Sequence, residues 1–134
     1  MSVEIDVVIP VYNEGSNILP VLESLRKAVR STYRVLICYD REDDDTLPVV
    51  RAYLQGPQPK AQSIEFVRNP SRGPLEAILA GFRATTAPMV LMMAADDDYN
   101  APIIDTMAQK IRDGAEIVVA SRFIPGGYMR DCPW

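Results

Sequence analysis

The chain contains no histidine, only two cysteines and a single tryptophan among 134 residues. Without an imidazole, histidine acid–base catalysis is excluded. Cys38 lies inside an apolar run and Cys132 sits beside the C-terminus, with no CxxC or Cys/His cluster, so a zinc site lacks its ligands. Two thiols so placed are expected to stay free in a reducing compartment rather than to bridge. Basic residues are in deficit: Lys and Arg number 14 against 18 Asp and Glu, a net charge of −4. Nucleic acid is therefore not the expected partner, because its backbone calls for clustered Lys and Arg. An anionic ligand would need a metal ion or helix N-termini to hold it. No apolar run reaches the ~18 residues of a membrane span, and the N-terminus has no basic stretch of a signal peptide. A Walker loop and a GxGxxG after the first strand are also absent, which removes the main support for ATPase and dinucleotide-oxidoreductase readings.

What is present is ordinary globular composition, 48% hydrophobic and 24% charged. At this length a single domain burying about two-thirds of its unfolded surface is expected. Strand-like and helix-like segments alternate. A β-branched run at Ile5–Val11 and strand-like segments at Tyr33–Tyr39, Ser63–Val67, Pro88–Ala95 and Glu116–Ser121 predict five strands. Helical spacing appears at Ser16–Ser31, with Ser16 as a cap, and at Asp45–Gln55, Gly73–Ala84 and Ala101–Asp113. The pattern predicts an α/β fold with a parallel sheet and right-handed crossovers. The end from Pro125 reads as loop, so residues 1–134 are expected to be the first part of a longer domain.

Polar residues gather where strands end, which is where open α/β sheets bind ligands. The first strand releases Pro10, Val11, Tyr12, Asn13 and Glu14. The second releases Asp40, a carboxylate able to accept a ring N–H from uracil or guanine. Glu42–Asp45 beyond it reads as a solvated acidic loop favouring a helix dipole. Arg72–Gly73 opens the third helix, where glycine lets backbone N–H groups approach a phosphate. Asp96–Asp97–Asp98 follows the fourth strand, and residues 96 and 98 alternate so as to converge on one cation. Oxygen ligands with phosphate oxygens suit Mg²⁺ or Mn²⁺. Arg122 follows the fifth strand and offers a bidentate phosphate contact.

These motifs, in this order and across essentially the whole chain, resemble the family 2 glycosyltransferases of GT-A fold, nearest to the polyprenyl-phosphate (dolichol-phosphate mannose synthase-like) sugar transferases. The resemblance implies a three-layer Rossmann-like GT-A core with strand order 3-2-1-4-5, and a nucleotide-sugar-binding domain over residues 1–134. It implies an inverting hexosyltransferase that takes a UDP- or GDP-sugar and a divalent metal, with a polyprenyl phosphate or a sugar as acceptor. Pro10, Tyr12, Glu14, Arg72 and Gly73 would line the nucleotide pocket and Asp40 would meet the base. Asp96 and Asp98 would stand for the DxD motif that holds metal and diphosphate, with Glu14 meeting Asp96 at the switch point. Arg122 would face phosphates. A cytoplasmic protein is implied, peripheral to a membrane through its acceptor or a C-terminal part. The sequence departs from the family in Ala94–Ala95–Asp96, which lacks a first Asp, and in Tyr39–Asp40–Arg41–Glu42 after the second strand.

A nucleotide-sugar-binding module without turnover is the alternative. A signalling receiver domain needs an acidic pair where Pro10–Val11 stands and an Asp where Arg68–Asn69 stands. A sugar nucleotidyltransferase needs a glycine-rich loop where Tyr12–Asn13–Glu14 stands.

Overall fold

The structure, a computed structural model, describes residues 2–57 and 63–129. Cys132 and part of the expected breaker Gly56–Pro57–Gln58–Pro59 lie outside them. Among the described residues four strands and four helices alternate: β1 Ile5–Pro10, α1 Ile18–Ala28, β2 Tyr33–Tyr39, α2 Thr46–Gln55, β3 Ser63–Arg68, α3 Pro74–Ala84, β4 Met89–Met92 and α4 Ile104–Arg112. A 3-10 turn, Ala101–Ile103, leads into α4. The strands form one parallel sheet in the order β3-β2-β1-β4.

Alternation of side chains across the sheet divides the core in two. Val7 and Ile9 of β1 with Val35 and Ile37 of β2 pack against α1, α2 and α4. Val8, Leu36 and Cys38 face Ala77 of α3 on the other side. Helix α1 buries Ile18, Val21, Leu22 and Leu25, a single stripe at helical spacing. Its start differs from the expectation: Asn17 precedes the helix and no side chain caps it, so Ser16 is not the cap. Burial pushes the Cys38 thiol up to about 12, which removes it as a nucleophile.

The expected fifth strand does not form. Residues 116–121 form no strand and join no ladder, with Ile117 82% and Val119 77% exposed. Residues 116–118 border an apolar cleft of about 190 Å³ beside β4 and α4 without joining a ladder. Their apolar run satisfies the local strand pattern, but a strand exists only through a partner, and β4 pairs on its β1 side alone. The order is therefore 3-2-1-4. β4 is also shorter than the run Pro88–Ala95, although Met93 adds one more bond, from its N–H to the Val8 carbonyl at 3.0 Å.

Candidate functional site

Parallel pairing carries the ends of β1, β2 and β3 to one edge of the sheet: Pro10 lies opposite Cys38, and Tyr39 opposite Arg68. Asp40 is the first residue beyond β2, and its carboxylate is held at both oxygens. Oδ1 accepts from Asn69 Nδ2 at 2.7 Å and Oδ2 from the Gly73 N–H at 2.9 Å. Asn69 is itself buried. It gives its backbone N–H to the Tyr39 carbonyl at 2.7 Å and takes the Ser71 N–H on its side-chain oxygen at 3.0 Å. The turn after β3 is thus built to fix the carboxylate at the end of β2.

Two clefts share Asp40 as a wall. One, of about 180 Å³, runs between Tyr12, Asn13 and Asp44. The other is open, about 670 Å³, and bounded by Glu42, Arg68, Ser71 and Arg72. Arg41 lines both, fixed by a two-pronged contact to Asp43 at 2.8–2.9 Å. Tyr12 is 69% exposed, so its ring is free to stack on a planar ligand.

The structure thus brings together Tyr12, Asp40, Arg72 and Gly73. Gly73 contributes its N–H to Asp40, so that donor is already engaged. Pro10 ends β1 at the same edge without lining either cleft. Glu14 is engaged at the starts of α1 and α2. Its N–H donates to Thr46 Oγ1 at 2.8 Å and its carboxylate accepts from Asn17 Nδ2 at 2.8 Å. Among the described residues no hydrogen bond joins it to Asp96.

The loop after β4 divides its three carboxylates. Asp97 folds into its own turn, accepting the N–H groups of Tyr99 and Asn100 at 3.2 and 3.0 Å and Asn100 Nδ2 at 2.7 Å. Asp96 and Asp98 are exposed. Among the described residues no three acidic or cysteine side chains converge as a metal cage. Mg²⁺ is commonly held by one or two carboxylates and completed by water and substrate phosphates. The hard oxygen donors of Asp96 and Asp98 fit a cation of that kind. Arg122 lies in the segment beyond α4, over the Phe123 ring at 4.7 Å and with Nη1 3.2 Å from the Met129 sulfur. The structure does not bring it to the clefts.

Sequence reasoning missed Asp44, Thr46 and Asn69. Asp44 is 5% exposed, so the reading of Glu42–Asp45 as wholly solvated fails there. An Asp-x-Thr pair before an apolar helix and an Asn-Pro turn were the available signals.

The sequence from 6 to 134 matches the profile of glycosyl transferase family 2. The chain belongs to that family. Among its relatives, a dolichol-phosphate mannosyltransferase of Pyrococcus furiosus is 24% identical over 98% of this chain and 36% of its own length. An undecaprenyl-phosphate 4-deoxy-4-formamido-L-arabinose transferase of Serratia proteamaculans is 26% identical over 86% of this chain, again 36% of its own. The family 2 chain therefore spans about a third of these relatives' length. A crystal structure of S. aureus TarS 1–349 in complex with UDP superposes with a TM-score of 0.68 at 22% identity, covering 82% of this chain and 32% of that one. At that identity the likeness speaks for the fold alone. Among the described residues no helix is long and apolar enough to cross a membrane.

Proposed function

We propose that this family 2 chain binds the nucleoside-diphosphate portion of a sugar donor at the C-terminal edge of its sheet and serves inverting transfer of the sugar to an acceptor. In this reading residues 1–134 form the donor-binding domain. The observation that carries it is Asp40, presented between two clefts by Asn69 and Gly73 and lining the smaller one together with the exposed Tyr12. A ring N–H of uracil or guanine has an acceptor there, and the base has an aromatic face to stack on. UDP in the TarS complex and the lipid-phosphate names of the relatives agree with a UDP- or GDP-sugar donor and a polyprenyl-phosphate acceptor.

Pro10 and Glu14 flank the segment that carries Tyr12 and Asn13 into the smaller cleft, and Arg72, next to Gly73, lines the larger one. Asp96 and Asp98 would hold a Mg²⁺ or Mn²⁺ ion, whose chemistry is to neutralise the departing diphosphate. Arg122 would add a second positive charge on the phosphates once its segment is brought to the edge. A phosphate acceptor is anionic at neutral pH and needs no strong base, in keeping with the lack of histidine.

Isothermal calorimetry with UDP and GDP in the presence of Mn²⁺ tests the reading. Saturable binding of one of them, lost in Asp40→Ala, supports it. The absence of binding to both rejects it.

A further inference from the structure

The loop that leaves β1 is clasped, one residue at a time, by the three residues that lead into α2, Asp44, Asp45 and its first residue Thr46. The Asn13 N–H donates to Asp44 Oδ2 at 3.1 Å, the Glu14 N–H to Thr46 Oγ1 at 2.8 Å and the Gly15 N–H to Asp45 Oδ1 at 2.8 Å. One bond runs the other way, from the Asp45 N–H to Asn13 Oδ1 at 3.1 Å. Thr46 is fully buried and Asp44 nearly so, and Asp44 Oδ1 also takes the Thr46 N–H at 2.8 Å. Buried polar groups satisfied in this way fix geometry, because releasing either side strands a desolvated donor or acceptor.

We propose that Thr46 and Asp44 are positioning residues for the nucleotide: through the clasp they set loop 12–15, and with it the Tyr12 wall of the smaller cleft. The proposal rests on the donor-binding reading above. Three observations support it. Asn13 is held at a left-handed φ of 51°, a conformation asparagine tolerates and the clasp enforces. A Cβ on Gly15 would come within 2.9 Å of both the Asp45 carbonyl and its carboxylate, so the fit is tight enough to demand glycine. The β2–α2 connection also carries Asp40 only four residues before Asp44, so one short segment sets both walls of the cleft. A consequence is that the three loop N–H groups are already engaged by protein acceptors. They do not cradle a phosphate, and the loop acts on the nucleotide through Tyr12.

The test compares Thr46→Val, which removes the hydroxyl acceptor at nearly constant volume, with Thr46→Ser, which keeps it. UDP and GDP affinity is measured by calorimetry, the Glu14 amide by hydrogen exchange, and folding by thermal unfolding. Thr46→Val is expected to bind about tenfold more weakly, the equivalent of one hydrogen bond, with faster exchange at Glu14. Thr46→Ser is expected to restore both. A folded Thr46→Val with native affinity, or an equal loss in both variants, overturns the proposal. If the unaltered chain binds neither nucleotide, the donor-binding reading fails. The clasp is then judged on exchange alone: faster exchange at Glu14 in Thr46→Val supports it and unchanged exchange overturns it. If Thr46→Val does not fold, Asp45→Ala, whose side chain is exposed, carries the same comparison with the Gly15 amide as readout.

Discussion

Asn69 reaches from the end of β3 to Asp40 at the end of β2, with Nδ2 2.7 Å from Oδ1, and it does so while almost wholly buried. Its side-chain oxygen simultaneously takes the Ser71 N–H. Asn69→Ala is expected to strand that N–H and one Asp40 oxygen, lowering stability by about 1–3 kcal/mol. Urea unfolding of the two proteins measures the difference. Coincident curves would mean that water replaces the amide without loss.

Asp40 itself is expected to matter for ligand more than for fold. Asp40→Ala should weaken UDP or GDP binding by about 1–3 kcal/mol, the range for a hydrogen bond to a charged group. Calorimetry on protein with a native circular-dichroism spectrum checks it. Unchanged affinity would return Asp40 to a purely structural role between Asn69 and Gly73.

The three carboxylates after β4 should separate by function. Asp96→Asn and Asp98→Asn are expected to abolish any Mg²⁺ or Mn²⁺ enhancement of nucleotide affinity. Asp97→Asn, which weakens the turn at Asn100, is expected to cost about 1 kcal/mol of stability and to leave the metal effect in place. Identical affinity with chelator and with metal in the unaltered chain would remove the metal from the site.

Gly81 of α3 is buried against the sheet. A Cβ there would lie 2.5 Å from Val8 Cγ1 and 2.7 Å from the Cys38 sulfur. Gly81→Ala is expected to overpack this contact and destabilise by about 1–3 kcal/mol, despite alanine's better helix propensity. A thermal midpoint equal to or above the native one would show that α3 can lift without loss.

Acid should unfold the protein through particular carboxylates. Burial of Asp6 would raise its carboxyl, but bonds from Arg34 and from the Ala87 and Thr86 N–H groups, together with the Arg34 charge, outweigh burial and hold it below its ordinary value. Burial likewise opposes, and the Arg30 N–H and the Ser31 hydroxyl and N–H outweigh it in, the lowering of Asp105. A carboxyl depressed in the folded state contributes stability above its unfolded value, about 4, and loses it as pH falls through the lower folded value. Urea midpoints are expected to hold steady from pH 7 to about 5 and to fall below about 4. The fall should be shallower in Asp105→Asn. A flat profile down to pH 2.5 would contradict this assignment.

Hydrophobic periodicity alone determined the four helices and the first four strands, because a strand buried on both faces, as β1 and most of β2 are, a strand alternating in exposure, as β3 and β4 do, and a one-sided helix each leave a local pattern. Tyr33–Tyr39 was legible to the residue, and Asp40 could be placed at a ligand edge because parallel strands all end on the same side. The motif order likewise pointed to the family, since it lies along the chain. The tertiary structure decided what depends on partners distant in sequence. Residues 116–121 have a strand's composition but no ladder, because pairing is a property of two segments and not of one. Asp44 looked like one more solvated acid until the loop of Asn13, 31 residues away, was seen to close over it. Asp97 and its neighbours are chemically identical in sequence, and only the structure shows that Asp97 is the one that takes the Asn100 N–H and side-chain amide.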